Sequence, residues 1–345
     1  MSATNPAPRD DAGVLLRTIG LTRHFKLGGF FSKRSLHAVD DLDLTVHERE
    51  IVAVVGESGS GKTTVARLLA LVYTPTRGDI VYRGRSVLRL RRRRDLLRYR
   101  GEVPMVFQDP YSAMNPVFRV SHGVLRTLAL HRPELSKAQR HQEAVRVFET
   151  VGLTPAADML RKFPYEMSGG QRQRVGFAAA LALGPKLILA DEPVSMLDVS
   201  IRAGILNILT RLRDEQGVSI LYITHDIASA RYVADRIVVM YAGHAVESGP
   251  TEVVLGRPKH PYTQLLLSAV ADPKDRAVAV SSDTGEPPRV IDPGEGCRFR
   301  WRCPLAVDTC STLTPRPRPM GPGHEAACHV AVPEAESSLD IAAVG

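Results

Sequence analysis

Nine consecutive residues, Gly56-Glu57-Ser58-Gly59-Ser60-Gly61-Lys62-Thr63-Thr64, carry the pattern GxxxxGK[ST] and with it the chemistry of holding a chain of phosphates. The glycines let the backbone fold back until successive N–H groups point at one anion, and the start of a helix adds its partial positive charge. Lys62 is then placed to reach the β- and γ-phosphates of a nucleoside triphosphate, and the Thr63 hydroxyl to ligate Mg2+. The flanks are those such a loop requires. Ile51-Val52-Ala53-Val54-Val55 reads as a strand buried on both faces of a parallel sheet, and residues 64–72 place apolar side chains at helical spacing.

Further polar residues stand where other apolar runs end. Residues 103–107 (VPMVF) read as a strand ending at Gln108, a ligand candidate. Residues 187–190 (LILA) end in Asp191 and Glu192. Burying two carboxylates needs a cation or a protonated partner, so Asp191 is expected to hold Mg2+ and Glu192 to polarise the attacking water. The run 220–224 (ILYIT) ends in His225. A lone histidine is more often structural; the series of strand-end polar residues favours a γ-phosphate contact. Ser168-Gly169-Gly170-Gln171 opens an apolar helix over 175–183, with Ser168 as N-cap and glycines that admit a phosphate to the backbone. Phe25, about thirty residues ahead of the glycine loop, reads either as an adenine-stacking ring or as an ordinary strand residue.

The elements that must position these residues alternate as α/β. Strands at 15–26 and 36–46 form an antiparallel start, 80–84 and 236–241 are further strands, and 118–163 is mainly helical, with a start at Ser136 and a stop at Gly152. With 345 residues, 44% apolar and 24% charged, the chain has room for one sizeable domain and a smaller appendage. The expected boundaries are a disordered 1–12, one nucleotide-binding domain over 13–270, a linker and Cys-bearing extension over 271–332 with its linker at 281–293, and a frayed tail over 333–345. No stretch approaches eighteen uninterrupted apolar residues and no export signal is readable, so the expectation is a cytoplasmic chain without a spanning helix. A net charge of +8 suits lipid head groups or nucleic acid and equally a solvated soluble surface. Its densest run, 89–100 (RLRRRRDLLRYR), could lie against a membrane but lacks the aromatics of a single-strand binding platform.

In their order, GESGSGKTT, Gln108, MSGGQ, LILADE and His225 resemble the ATPase cassette of ABC transporters across residues 13–270. The resemblance implies a P-loop NTPase fold with a RecA-like core, an antiparallel β subdomain and a helical subdomain near 109–165, and it implies ATP hydrolysis with Mg2+. Carried over, residues 56–64 are the Walker A loop, Gln108 is the Q-loop residue beside Mg2+, and Ser168 to Gln171 are the signature. Asp191 and Glu192 are the Walker B acids, Met196-Leu197-Asp198 the D-loop and His225 the switch histidine. Met167 stands where the signature usually has Leu, a change that conserves volume. Such cassettes pair head to tail, each ATP lying between the Walker A of one subunit and the signature of the other.

A narrower resemblance, in VFQDPYSAMNP, HPYTQLLLSAV and GCRFRWRCPLAVDTC with GHEAACHV, is to the oligopeptide/dipeptide importer subfamily, whose ATPases carry such an extension. It implies as partners a second ATPase subunit, two transmembrane permeases meeting residues 109–115, and an extracytoplasmic solute-binding protein, at the cytoplasmic face of the membrane and without nucleic acid. Importers of oligosaccharides and nickel share the subfamily. An exporter cassette fits the motifs but not the extension; a soluble ABC protein of translation or DNA repair usually has two cassettes or a coiled-coil insert.

Cys297, Cys303, Cys310 and Cys328 are the chain's only cysteines. A reducing cytoplasm disfavours disulfides and leaves a [4Fe-4S] cluster, zinc or metal-free thiols. Gaps of five and six residues fit the CxxC knuckles of zinc poorly, whereas a four-iron cluster accepts thiolates from wider-spaced loops. The importer resemblance favours the cluster, as a structural staple for a small module.

Overall fold

The computed structural model describes residues 13–28, 34–109, 114–268 and 290–333. The expected terminal tails, the linker residues 281–289 and residues 110–113 lie outside them, apart from residue 333. The chain opens with β1 (Val14–Lys26), β2 (Ser35–Leu42), β3 (Thr45–His47), β4 (Ile51–Val55) and helix α1 (Lys62–Leu69). Strands β5 (Arg77–Tyr82) and β6 (Arg85–Ser86), helix α2 (Arg93–Glu102) and strand β7 (Met105–Val106) follow. Four helices, α3 (Val120–His131), α4 (Lys137–Thr150), α5 (Ala156–Met159) and α6 (Gly169–Leu181), precede β8 (Leu187–Asp191), α7 (Val199–Gln216) and β9 (Ser219–Thr224). Then come α8 (Ile227–Val233), β10 (Arg236–Tyr241), β11 (His244–Pro250), α9 (Thr251–Gly256), α10 (Pro261–Ser268), α11 (Thr309–Thr312), β12 (Arg318–Gly321) and β13 (His324–Ala326). The chain divides into two compact units, one of residues 1–22, 41–51 and 66–221 and the other of 23–40, 52–65 and 222–345.

In the first unit β1 pairs antiparallel with β5, Leu16 opposite Tyr82 and Thr18 opposite Ile80, and with β3. The single strand expected over 36–46 is two strands. Thr18, buried in β1, donates its hydroxyl to the Leu42 carbonyl at 2.8 Å and accepts the Leu44 N–H at 2.9 Å, while Asp41 takes a left-handed φ of 53°. A side chain thus takes the backbone groups that a continuous ladder would use. β7 is parallel to β8, Val106 beside Ala190, and spans only two of the five residues expected. Pro104 has no N–H to give, and the Val103 N–H closes α2 on the Tyr99 carbonyl at 2.8 Å. α3 buries Val120, Val124 and Leu128, one face at four-residue spacing, and α4 buries Ala144, Val147 and Phe148. Ser136 and Gln139 cap α4 reciprocally, and Gly152 follows it at a φ of 72°.

In the second unit the strand order is β12-β13-β11-β10-β4-β9. β4, β9 and β10 are almost wholly buried, as their continuous apolar runs require, and β4 is parallel to β10 with Val54 beside Val238. The described part of the C-terminal extension adds strands to this sheet. β13 joins the antiparallel edge of β11, Glu247 opposite Ala326. Val290, within the expected linker, is buried and accepts the His37 N–H at 2.8 Å. Phe299 packs its buried ring among those of Tyr241, Tyr262 and His260.

Glu247 holds this corner. Its carboxylate lies 2.7 Å from His324 Nε2 and accepts the N–H groups of Lys259 and His260 at 2.7 and 3.0 Å, and both the Glu247 and His324 side chains are fully buried. Burial pushes the carboxyl up, but the donors His324, Lys259 and His260 outweigh it and hold it below its ordinary value of 4.5. Glu247→Ala is expected to lower stability by about 3 kcal/mol in denaturant unfolding, because it leaves buried donors unpaired. The lowered carboxyl contributes stability in full above pH 4.5 and loses it as the pH falls through its lower folded value, so the variant's stability should change less over that acid range.

Candidate nucleotide-binding site

In the second unit, β4 delivers the chain into the loop at Gly56 and α1 leaves it at Lys62. Gly56, Gly59 and Gly61 have φ of 153°, 80° and 104°. A Cβ on Gly56 would sit 2.1 Å from the Met240 carbonyl oxygen, and one on Gly61 2.1 Å from that of Ala38. The turn therefore admits no side chain at either position. Gly243 donates its N–H to the Ser60 carbonyl at 2.9 Å. Lys62 is buried, and its Nζ donates to the Gly56 and Glu57 carbonyls at 2.8 Å each. Thr63 and Thr64 follow at the helix start, half-buried.

The same unit holds His225, exposed at the end of β9. Its position is set by Asp226, which caps α8 by accepting the Ala228 and Ser229 N–H groups. Phe25 lies on β1, half-buried, with the Arg23 guanidinium 4.5 Å from its ring centre. Beside it, His24, His37 and Asp40 form the one trio of metal-ligand type among the described residues. The Arg298 guanidinium sits 2.6 Å from Asp40 Oδ2, and the two imidazoles stack at 3.6 Å. Burial raises the Asp40 carboxyl, but His37, Arg298 and His24 hold it well below the usual carboxylate range. A cation already neutralises this carboxylate, so the cluster is an ion-pair network tying the extension to β2.

In the first unit, Asp191 ends β8 and is buried, and Glu192 follows with a left-handed φ of 45°, a conformation rare for a residue with a Cβ. Gln108 donates its Nε2 to Glu192 Oε2 at 2.9 Å. Ser195 donates its hydroxyl to the Glu192 carbonyl at 3.0 Å. Gln108, two residues beyond β7, and Glu192, directly after β8, are thus one hydrogen-bonded pair. Ser168 caps α6 as expected. The cap is reciprocal, since Gln171 Oε1 accepts the Ser168 N–H at 3.1 Å and Ser168 Oγ that of Gln171 at 3.2 Å. The spacing Ser-x-x-Gln is the sequence signal for it. Gly169 starts the helix, and a Cβ on Gly170 would meet Ile201 Cγ2 at 2.4 Å. The capped end borders a cleft lined by Ser168, Gly170, Gln171, Arg174 and Ile201. Asp198 is the exposed residue before α7.

The four cysteines are thiols, Cys310 and Cys328 buried and Cys297 and Cys303 half-buried. Burial pushes the Cys297 thiol up to about 11, and the neighbouring Cys310, Cys328 and Cys303 add to it. No three of the four sulfurs lie within 4.8 Å of one another. A zinc tetrahedron with Zn–S of about 2.3 Å needs sulfurs about 3.8 Å apart, so the arrangement is not that of a closed zinc site. The Cys297 N–H donates to the Cys310 carbonyl at 2.8 Å, which binds the two loops together.

Two residues near the glycine loop have no motif to announce them. The Tyr262 hydroxyl accepts the Glu57 N–H at 2.9 Å, and Arg302 pairs with the Glu57 carboxylate. Their only signal is a place in the HPYT and CRFRWRC segments.

A strand, a glycine loop with a buried lysine and a helix define a nucleotide-binding cassette of the P-loop class. Residues 39–195 match the family model described as ABC transporter, and residues 246–310 that described as oligopeptide/dipeptide transporter, C-terminal region. A chain of Sinorhizobium fredii named "Probable peptide ABC transporter ATP-binding protein y4tS" is 42% identical over 96% of this chain and 94% of its own. The oligopeptide transport ATP-binding protein OppF of Salmonella typhimurium is 39% identical over 88% and 92%. Among solved structures, the dimeric cassette MJ0796, a bacterial ABC transporter cassette, superposes with a TM-score of 0.61 at 27% identity, over 69% of this chain and 99% of that one. The chain belongs to the ABC transporter ATP-binding proteins, as an ATP-hydrolysing cassette with the oligopeptide/dipeptide-type C-terminal region. No helix among the described residues is long and apolar enough to cross a membrane.

Gly61→Ala is the sharpest test of the loop. The added methyl would meet the Ala38 carbonyl at 2.1 Å in a backbone conformation that disfavours any Cβ. The expected outcome is loss of nucleotide binding in an equilibrium assay and a destabilisation of at least about 2 kcal/mol.

Proposed function

We propose that the chain is the ATPase subunit of an importer of oligopeptides or dipeptides, working at the cytoplasmic face of the membrane. It would act with a second cassette subunit, two transmembrane permeases and an extracytoplasmic solute-binding protein, and without nucleic acid. The observation that carries the reading is the match of residues 246–310 to the oligopeptide/dipeptide transporter C-terminal region in a chain that also has the cassette loop. The peptide transport names of its relatives and the dimeric state of the solved cassette support it.

In this reading residues 56–64 wrap the phosphates, Lys62 spans the β- and γ-phosphates, and Phe25 stacks on the adenine. The capped start of α6, with Ser168, Gly169, Gly170 and Gln171, meets the nucleotide held by the partner cassette, as does Asp198. Thr63, Asp191 and Gln108 would each offer an oxygen to Mg2+, and the ion would supply neutralisation of the phosphate charge. The buried carboxylate of Asp191 suits such a hard cation. Glu192, oriented by Gln108, accepts the proton of the water that attacks the γ-phosphorus while the bond to ADP breaks, and His225 contacts the γ-phosphate. ATP binding closes the pair of cassettes, and hydrolysis with phosphate release opens it.

The four cysteines complete the reading. Cys297, Cys303, Cys310 and Cys328 all belong to the extension, its loops joined by the bond from the Cys297 N–H to the Cys310 carbonyl, and in this reading they would supply the four thiolates of a [4Fe-4S] cluster acting as a staple.

Glu192→Gln in the assembled transporter should keep ATP binding and accumulate the closed dimer while hydrolysis falls at least about a hundredfold, the loss expected for a positioned base. Undiminished turnover would assign the water's activation to another group. For the extension, anaerobic purification should give a brown chain with roughly four irons, as four-thiolate ligation implies. A colourless chain with zinc in place of iron would return the cysteines to the zinc reading.

A further inference from the structure

Glu57, the second residue of the phosphate-binding loop, is held from outside the loop. Arg302 lays its guanidinium fork on the Glu57 carboxylate, Nη1 2.9 Å from Oε2 and Nη2 3.0 Å from Oε1. This bidentate pair is geometrically specific as well as strong. Neither side chain is free in solvent, at 13% and 23% exposure. The fork is fixed in turn by rings, lying 5.7 Å from the centre of Tyr241 and 5.9 Å from that of Phe299. Arg302 Nε is buried without a hydrogen-bond partner, a cost accepted in the geometry that aims the fork at Glu57.

The consequence falls on the phosphates. Without the guanidinium, a carboxylate would stand uncompensated beside a loop that receives a multiply charged anion. Lys62 Nζ rests on the Glu57 carbonyl, and Tyr262 takes the Glu57 N–H, so a shift of Glu57 disturbs the donor set itself. Arg302 immediately precedes Cys303, so the fork is supplied by the Cys-bearing extension.

We propose that Arg302 is a positioning residue of the phosphate-binding loop, through which the Cys-bearing extension sets the loop's affinity for MgATP. The inference rests on the ATP-site reading above.

The test uses the full chain, with MgATP binding measured at equilibrium and hydrolysis as kcat and KM. Arg302→Met should raise the Kd and KM for MgATP about tenfold and leave kcat within about twofold. Arg302→Lys, which keeps the charge without the fork, should fall between. Glu57→Gln should weaken binding, and Arg302→Met combined with Glu57→Gln should be no worse than the poorer single variant, because the pair acts as one unit. An unaltered chain that fails to bind MgATP overturns the ATP-site reading itself. An unaltered chain that binds, with Arg302→Met equal to it, overturns the positioning role alone. So does an Arg302→Met variant that loses thermal stability and whose binding loss simply adds to that of Glu57→Gln, since that is what a packing role would give.

Discussion

Backbone packed directly on backbone at two glycines is the constraint from which the second unit is built. Gly56 turns under the Met240 carbonyl and Gly61 under that of Ala38, each too close for a Cβ. The first of these carbonyls is presented by β10, running parallel beside β4, and the second by β2. The loop's curvature is therefore a property of the strands around it. The buried, β-branched run of β4 does more than deliver the motif: it holds the register that brings Val55 beside Val239, one residue ahead of the carbonyl on which the turn depends.

Much of this was legible in the sequence for one reason. Strands buried on both faces must be apolar throughout, so β4, β8, β9 and β10 announce themselves, and the polar residues where β8 and β9 end, Asp191 with Glu192 and His225, are conspicuous. The loop, Asp191, Glu192, His225 and the Ser168 cap are local patterns and needed no tertiary knowledge. What escaped depends on single atoms or distant partners. The break between β2 and β3 is made by the Thr18 hydroxyl, 24 and 26 residues from the groups it binds. β7 is cut short by a missing proline N–H. β12 and β13 have no strand signature of their own, and exist because β11 offers an edge. Tyr262 and Arg302 reach Glu57 across 205 and 245 residues, a separation at which no spacing rule operates.

Charge ties the extension into its unit more firmly than composition alone suggests. Arg298 meets Asp40, Arg302 meets Glu57, and His324 meets Glu247, each within 3 Å. In every case one partner belongs to the region after residue 290 and the other to a strand or loop near the nucleotide site or behind it. Removing the extension would take Arg302 from Glu57 and His324 from Glu247, in surroundings where an unmatched charge is costly, and would leave Asp40 with His24 and His37 alone. The net positive charge of the whole chain is in this corner a set of specific pairings.

β13 hydrogen-bonds along β11, and β12, with Arg318 and Pro319, forms the outer border. A proline and an arginine on that border blunt it against a further strand. These residues are the last of the sheet to leave the ribosome, some seventy residues after β11. Until they emerge, the nascent β11 has an open row of backbone donors and acceptors, so the sheet that carries the phosphate loop is sealed by strands made well after the loop itself.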